Sequence, residues 1–345
     1  MYERSTGESV IPKDEYMEIT GLPFKMTRAM MTAAAFYAQN QASFKAASEM
    51  IERSMGIEMD SETIRKATEY VGEKVHAADI SRAEETYENI LNIEYSHTLR
   101  KGTLYIMTDG AMVNTRAEDE NGSTWRENKL GLIFSDRDLI ETKGGNNIIL
   151  KKEYVSYVGS AEEFKKHIFE AAVRNGYGTF ENVVIIGDGA SWIRNMCYEL
   201  FPDATQILDK YHLCENIYTY AKSLFNNDAP QYTKWAETVI DKIEKGLIDA
   251  VFDIIEKSGK NPDSTFSLTT YIQNNIDKIN YSYYERQGWF VGSGAIESGN
   301  KIVLQRRLKQ PGMRWNVKTA QYMVTLRAKS ESCLWQSHVA DLICS

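Results

Sequence analysis

The chain has 345 residues, 43% of them apolar and 26% charged, with a formal net charge of −8, which is enough chain for a sizeable core in one large domain or two smaller ones. No apolar run approaches the roughly 20 residues that cross a bilayer, and the opening MYERSTGESVIPKDE lacks the apolar segment of a secretory signal. The four cysteines form no C-x-x-C pair, which argues against a zinc ribbon or a disulfide framework and for a reducing cytoplasm, while the acidic balance taken alone speaks against nucleic acid as a partner.

Residues 1 to 30 read as an irregular lead-in. From Met31 to Ala78 the pattern is helical. Phe44, Ala47 and Ile51 recur at helical spacing, with Ser43 placed to cap them. Gly56 marks a turn, Ser61 is an expected N-cap, and Ile64, Ala67, Thr68 and Val71 mark the inner face of the next helix. Helix, glycine turn and second helix over about 43–75 resemble a helix-turn-helix, with a plain αα-hairpin as the alternative. On the first reading Thr63, Arg65 and Lys66 sit on the recognition helix. A polar helical stretch follows from Ser81 to about Asn92.

Near residue 100 the texture changes. TLYIMTDG, KLGLIFSD and NIILKKEYVSYVG are short β-rich runs between turn signals, and AEEFKKHIFEAAVRNG is a helix ending at Gly176. NVVIIGDG is apolar almost throughout, as a buried central strand should be. ASWIRNMCYELF reads as helix and ATQILDKYH as a strand entering one. Strands alternating with helices predict an α/β domain. From residue 213 to 284 no strand signal appears; Trp235, Val239, Ile243, Leu247 and Val251 step by four, which predicts a helical insertion. Helices after Ser293 and Asn316 close the chain.

Three carboxylates stand out. Asp109 and Asp188 each end an apolar run and precede a glycine, where ligand groups of open α/β sheets collect, although Asp-Gly is also simply a good turn dipeptide. The third lies in GSGAIESGNKIV. This is not a dinucleotide fingerprint, because Glu297 occupies the third glycine position and helices precede the loop. Ser293 is instead expected to cap a helix that places Glu297 at the positive end of its dipole, with Asn300 and Lys301 on the same face. Three acids without histidine or cysteine in ligand spacing suit hard cations, Mg²⁺ or Mn²⁺, two of which can promote phosphodiester chemistry.

From Ser298 to Ser330 there is no acid, but there are Lys301, Arg306, Arg307, Lys309, Arg314, Lys318, Arg327 and Lys329. The stretch reads either as a solvated helical face or as a phosphate-tracking surface beside Trp315.

MTDGAMVNTR, IIGDGASWIRN with FPDATQILDKYH, and GSGAIESGNKIV with RRLKQPGMRW together resemble the DDE transposases of bacterial insertion sequences, in particular the ISKra-type group related to Mutator-like transposases. The resemblance runs from about residue 20 to 330. It implies an RNase H-like mixed sheet flanked by helices, with the catalytic domain over 100–212 and 285–330. It further implies an all-helical insertion over 213–284, an N-terminal helical DNA-binding region over 1–99 and a C-terminal tail over 331–345. Asp109, Asp188 and Glu297 would be the metal-binding triad for two Mg²⁺ or Mn²⁺ ions. Asp209 and His212 match a D-x-x-H motif associated with handling DNA near the active site, although His212 also reads as a hydrogen-bonded structural histidine. Asn300, Lys301, Arg306, Arg307, Lys309 and Arg314 would contact DNA, and Trp315 would stack on a base or pack in the core.

The expected activity is DNA transposition: metal-dependent cleavage at element ends, then attack of the freed 3′-hydroxyl on target DNA. The partner would be double-stranded DNA bound by a homo-oligomer, in the bacterial cytoplasm at the nucleoid and without a membrane. A nuclease that cuts without joining, and a non-catalytic DNA-binding derivative, are the alternatives.

Overall fold

The computed structural model describes residues 24–93, 98–143, 147–259 and 267–344, with a few isolated positions before residue 24, so most of the lead-in lies outside the described residues. The first helical pattern resolves into three helices. They are α1 (Arg28–Asn40), α2 (Phe44–Met55) and α3 (Ser61–Glu88). Ser43 caps α2, accepting from the Ala46 amide at 3.0 Å, and Gly56 ends it at a φ of 68° that favours glycine. The cap of α3 is Asp60 rather than the expected Ser61. Its carboxylate accepts from the amides of Glu62 (3.0 Å) and Thr63 (2.9 Å), which adds a negative charge at the positive end of the helix. Ile64, Ala67, Thr68 and Val71 are buried on the inner face. The polar stretch after Ser81 is not a separate helix: α3 continues unbroken for 28 residues.

Five strands form a mixed sheet: β1 (Arg100–Asn114), β2 (Trp125–Ser135), β3 (Glu153–Val158), β4 (Phe180–Gly187) and β5 (Thr205–Leu208). Their order is β3-β2-β1-β4-β5, and β2 alone runs against the others. Side chains alternate along β1. Leu104 and Ile106 face a core shared with Phe164, Ile168 and Ile193, from α4 (Ala161–Arg174) and α5 (Ser191–Leu200). Tyr105 and Met107 face the opposite core. That core is covered by α6 (Lys210–Leu224), α7 (Ala229–Glu244), α8 (Ile248–Lys257), α9 (Leu268–Gln273), α10 (Tyr281–Arg286) and α11 (Gly294–Gly299). The four-residue ladder splits between α7 and α8. Gly246 takes a φ of 71° at the break, so Val239, Ile243 and Val251 are buried while Leu247 is exposed.

After α11 the backbone widens into a π-helical stretch, Asn300–Gln305, before one more turn and α12 (Val317–Glu331). The end of the chain is not a loose tail. Val339 and Ile343 join Leu326 of α12 in the same core as Met31, Ala35, Ile51 and Val71. Where α3 crosses α12, a Cβ at Gly72 would stand 2.5 Å from the Tyr322 Cβ and 3.2 Å from its Cα. Backbone cannot swing aside as a flexible side chain would, so the crossing depends on glycine.

Gly72→Ala should therefore lower stability by about 1–3 kcal/mol through overpacking, despite the roughly 1 kcal/mol by which alanine is preferred in a helix interior. Thermal unfolding of the two proteins checks the sign; a variant as stable as the parent would show that the helices part freely.

Candidate active site

β1 and β4 pair in parallel with Met107 opposite Ile186. Asp109 and Asp188 each follow two residues later, so the adjacent strands deliver both carboxylates at one level and on the face covered by α6 to α11. Asp109 accepts from the Gly110 amide at 2.8 Å and from the Asn300 side-chain amide at 2.5 Å. Asp188 accepts from the Ala190 amide at 2.9 Å, and its carbonyl accepts from the Tyr271 hydroxyl at 3.2 Å. Burial raises the Asp109 carboxyl above its ordinary value, and the Asp188 charge adds to this; the Gly110 amide, His212 and Asn300 oppose it.

The helix bearing Glu297 comes close because it lacks side chains where it touches the sheet. A Cβ at Gly299 would stand 2.6 Å from the Tyr154 ring and 3.3 Å from Leu130. Glycine there lets α11 settle onto β2 and β3, and this brings Asn300 to Asp109. Asn300 was expected on the DNA-facing side with Lys301; it is instead buried on the first carboxylate, while Lys301 is exposed. Ser293 does not cap α11. Its hydroxyl donates to Glu297 at 3.0 Å, and its amide donates to Asp209 at 3.0 Å.

Asp209 is fully buried and begins α6, where it also accepts from the Tyr211 amide at 3.1 Å. Its second oxygen stands 3.6 Å from His212 and has no hydrogen-bond partner. Asp209 is thus a structural tie between α6 and the loop before α11, rather than a surface that meets DNA directly. The other ring nitrogen of His212 stands 3.6 Å from Glu215. Two buried oxygens near the carboxylates lack a donor, Asn300 Oδ1 and Asp209 Oδ2. Among the described residues no group of three His, Cys, Asp or Glu side chains stands close enough to hold a metal ion; Glu297 is turned to Ser293.

Burial divides the acid-free basic stretch. Arg307 is 2% exposed and its guanidinium lies between the rings of Phe44 (4.8 Å) and Trp315 (4.9 Å). It donates to the carbonyls of Ala38 (3.0 Å) and Ala42 (3.3 Å), at and just beyond the end of α1, and burial lowers its pKa to about 10. Trp315 is buried too, its indole N–H bonded to the Leu308 carbonyl at 3.2 Å. Arg307 and Trp315 are therefore core groups and not the DNA contacts expected of them. Arg327 is likewise buried on the carbonyls of Gln39, Ile302 and Val303. Lys301, Arg306, Lys309, Arg314 and Lys318 remain exposed.

In α3, Thr63 is bonded to Asp60 (2.6 Å), and Arg65 is held by Glu62 (2.6 Å) and Glu69 (2.5 Å). Lys66 stands 3.6 Å from Glu62. The residues expected to read DNA from this helix are thus already matched by its own acids. Sequence reasoning missed the Ser293–Glu297 and Asn300–Asp109 contacts, because each was assigned a simpler local role.

Two outcomes follow from these environments. Arg307→Gln should destabilise the fold by roughly 2–4 kcal/mol, because the helix-end carbonyls lose their donor in a buried site. Arg306→Gln, at an exposed position, should leave the melting temperature unchanged; equal behaviour of the two variants would return Arg307 to the surface. Asp109→Asn should raise the melting temperature at neutral pH. The folded carboxyl holds its proton to a higher pH than the unfolded one, so stability falls as pH rises between the two values and the penalty is complete above them. The gain should disappear below the ordinary carboxylate range, where both states are protonated, and a variant less stable than the parent at pH 7 would contradict the buried-charge account.

No curated protein matches the chain. Among solved structures it is similar to one titled "Drosophila P element transposase strand transfer complex", at 10% identity over 94% of this chain and 83% of that one, with a TM-score of 0.28. A protein-family model described as "Uncharacterised protein family (UPF0236)" matches residues 1–339. With almost the whole length matched, the chain belongs to the UPF0236 family.

Proposed function

We propose that this protein is a DNA transposase whose sheet is RNase H-like and whose Asp109, Asp188 and Glu297 form a metal-dependent catalytic site. The observation that carries this reading is the convergence of the first two acids on adjacent parallel strands, Asp109 within β1 and Asp188 just past the end of β4. The helix bearing the third is joined to Asp109 through Asn300. The strand order and the single antiparallel strand of the sheet support the fold assignment. So does the run of helices between β5 and α11.

The donor set fits a hard divalent cation. It consists of carboxylate oxygens, with the unsatisfied oxygens of Asn300 and Asp209 near them. Asp109 and Asp188 would hold Mg²⁺ or Mn²⁺ together with Glu297 once its carboxylate leaves Ser293. When bound, a pair of such ions supplies Lewis-acid activation of the attacking oxygen and charge neutralisation at the phosphate.

The chain's own residues prepare this site. Asn300 fixes the Asp109 carboxylate through a side-chain hydrogen bond. Asp209 holds the Ser293 amide, and so sets where α11 begins. The Ser293 hydroxyl keeps Glu297 in place while no substrate is bound. Exposed Lys301, Arg306, Lys309 and Arg314 would meet phosphates without reading sequence. The reaction is hydrolysis at an element end followed by 3′-hydroxyl attack on target DNA. A nuclease would share the first step alone, and strand-transfer products separate the two.

Asp109→Asn, Asp188→Asn and Glu297→Gln should each reduce Mg²⁺-dependent cleavage of duplex DNA bearing the gene's flanking sequence by about a hundredfold or more. That is roughly 3 kcal/mol of lost transition-state stabilisation. Folding, followed by circular dichroism, should be retained. Undiminished cleavage by any one variant removes that residue from the site, and full activity in EDTA removes the metal mechanism.

A further inference from the structure

Of the six tryptophans only Trp125 is exposed, at 48%. It opens β2 opposite Asn114, the last residue of β1. The chain returns to this end of the sheet two hundred residues later: the Trp315 amide donates to the Asn114 carbonyl at 3.0 Å, and the Arg116 amide to the Trp315 carbonyl at 2.8 Å. The turn before Trp315 therefore stands beside the open end of the β1–β2 arm. Between them lies a cavity of about 370 Å³, whose lining includes Trp125, Asn114, Lys309, Gln310 and Arg314. That volume lies within the range of sites for small organic ligands.

Its chemistry is specific. No carboxylate lines it. Lys309 and Arg314 are exposed, and among the described residues neither side chain forms an ion pair. The Asn114 Oδ1 is buried without a donor. At Gly312, with a φ of 76°, there is open space where a Cβ would point. A flat indole face, two unmatched cations and an unmet amide oxygen fit an aromatic ring that carries hydrogen-bonding edges and an anionic group.

We propose that this cavity binds one unpaired nucleotide of a DNA strand, its base stacked on Trp125 and its phosphate held by Lys309 and Arg314. The proposal rests on the DNA reading given above. Asn114 lies five residues beyond Asp109 on the same strand, roughly 17 Å at about 3.4 Å per residue, and the odd spacing turns its side chain to the other face of the sheet. A nucleotide held there would belong to a strand that passes this end of the sheet and has left its duplex.

The test is fluorescence anisotropy with the full chain at low salt, using a labelled ten-nucleotide oligo-dT and a blunt duplex of equal length. Trp125→Ala should weaken oligo-dT binding about 5- to 150-fold, the effect of losing 1–3 kcal/mol of base–aromatic stacking. Trp125→Phe should lose much less, and duplex affinity should change by less than about twofold in both. A wild-type protein that does not bind oligo-dT, or a folded Trp125→Ala variant that binds it equally well, overturns the proposal. Metal-dependent cleavage, measured separately on the duplex, keeps the two readings apart. Cleavage with no effect of Trp125→Ala sinks only the nucleotide site. Trp125-dependent oligo-dT binding without cleavage leaves the nucleotide site standing and removes the enzyme.

Discussion

Two carboxylates brought together in a partly buried place repel each other and lose hydration, and this constraint organises the middle of the molecule. The parallel register of β1 and β4 creates it, by carrying Asp109, within β1, and Asp188, just past the end of β4, to one level. The surroundings answer with donors: the amides of Gly110 and Ala190, and the side chain of Asn300. Even so, burial leaves the Asp109 carboxyl above its ordinary pKa. A site that is costly to keep charged without a counter-ion has reason to attract a cation or a substrate that brings one.

The donor from Asn300 requires a helix nearly in contact with the sheet. Gly299 permits the approach, and the π-helical stretch that follows alters which carbonyls are free. Ile302 and Val303 give their carbonyls to Arg327, which also bonds Gln39 at the end of α1. Arg307 does the same for Ala38 and Ala42. These two arginines join the N-terminal helices to the segment that carries Glu297 and Asn300. Arg307 is met by backbone carbonyls alone, whereas Arg327 is met by carbonyls and by Glu331 at 2.9 Å, just past the acid-free stretch. That is why a stretch without a single Asp or Glu need not be a DNA surface.

On the opposite side, α3 rests on the sheet domain through a polar seam. Lys329 of α12 is buried on Asp79 at 3.0 Å, and His76 stacks near His167 of α4. Burial lowers the pKa of His167 to about 4, so the ring stays neutral through the physiological range. The N-terminal helices are therefore built into the structure on two sides. This leaves little of α3 free to act as an independent recognition helix, as the internal pairing of Thr63 and Arg65 also shows.

What the sequence by itself determined is local. The β-rich run TLYIMTDG, the nearly continuous apolar run NVVIIGDG, turn glycines at Gly56 and Gly176, and the capping hydroxyl of Ser43 specify strands, breaks and helix starts through contacts within a few residues. The strand end before Asp188 was legible for the same reason, whereas the expected end at Asp109 is not one, because β1 runs on in pairs with β2 to Asn114. Only the tertiary structure decided what those groups meet. Asn300 finds Asp109 across 191 positions, Arg307 disappears under Phe44 and Trp315, and Asp209 turns inward to hold Ser293. A charged or amide side chain carries no periodic signal that tells a solvated face from a buried partner. Its role is settled by which distant backbone groups lack a donor once the helices have packed.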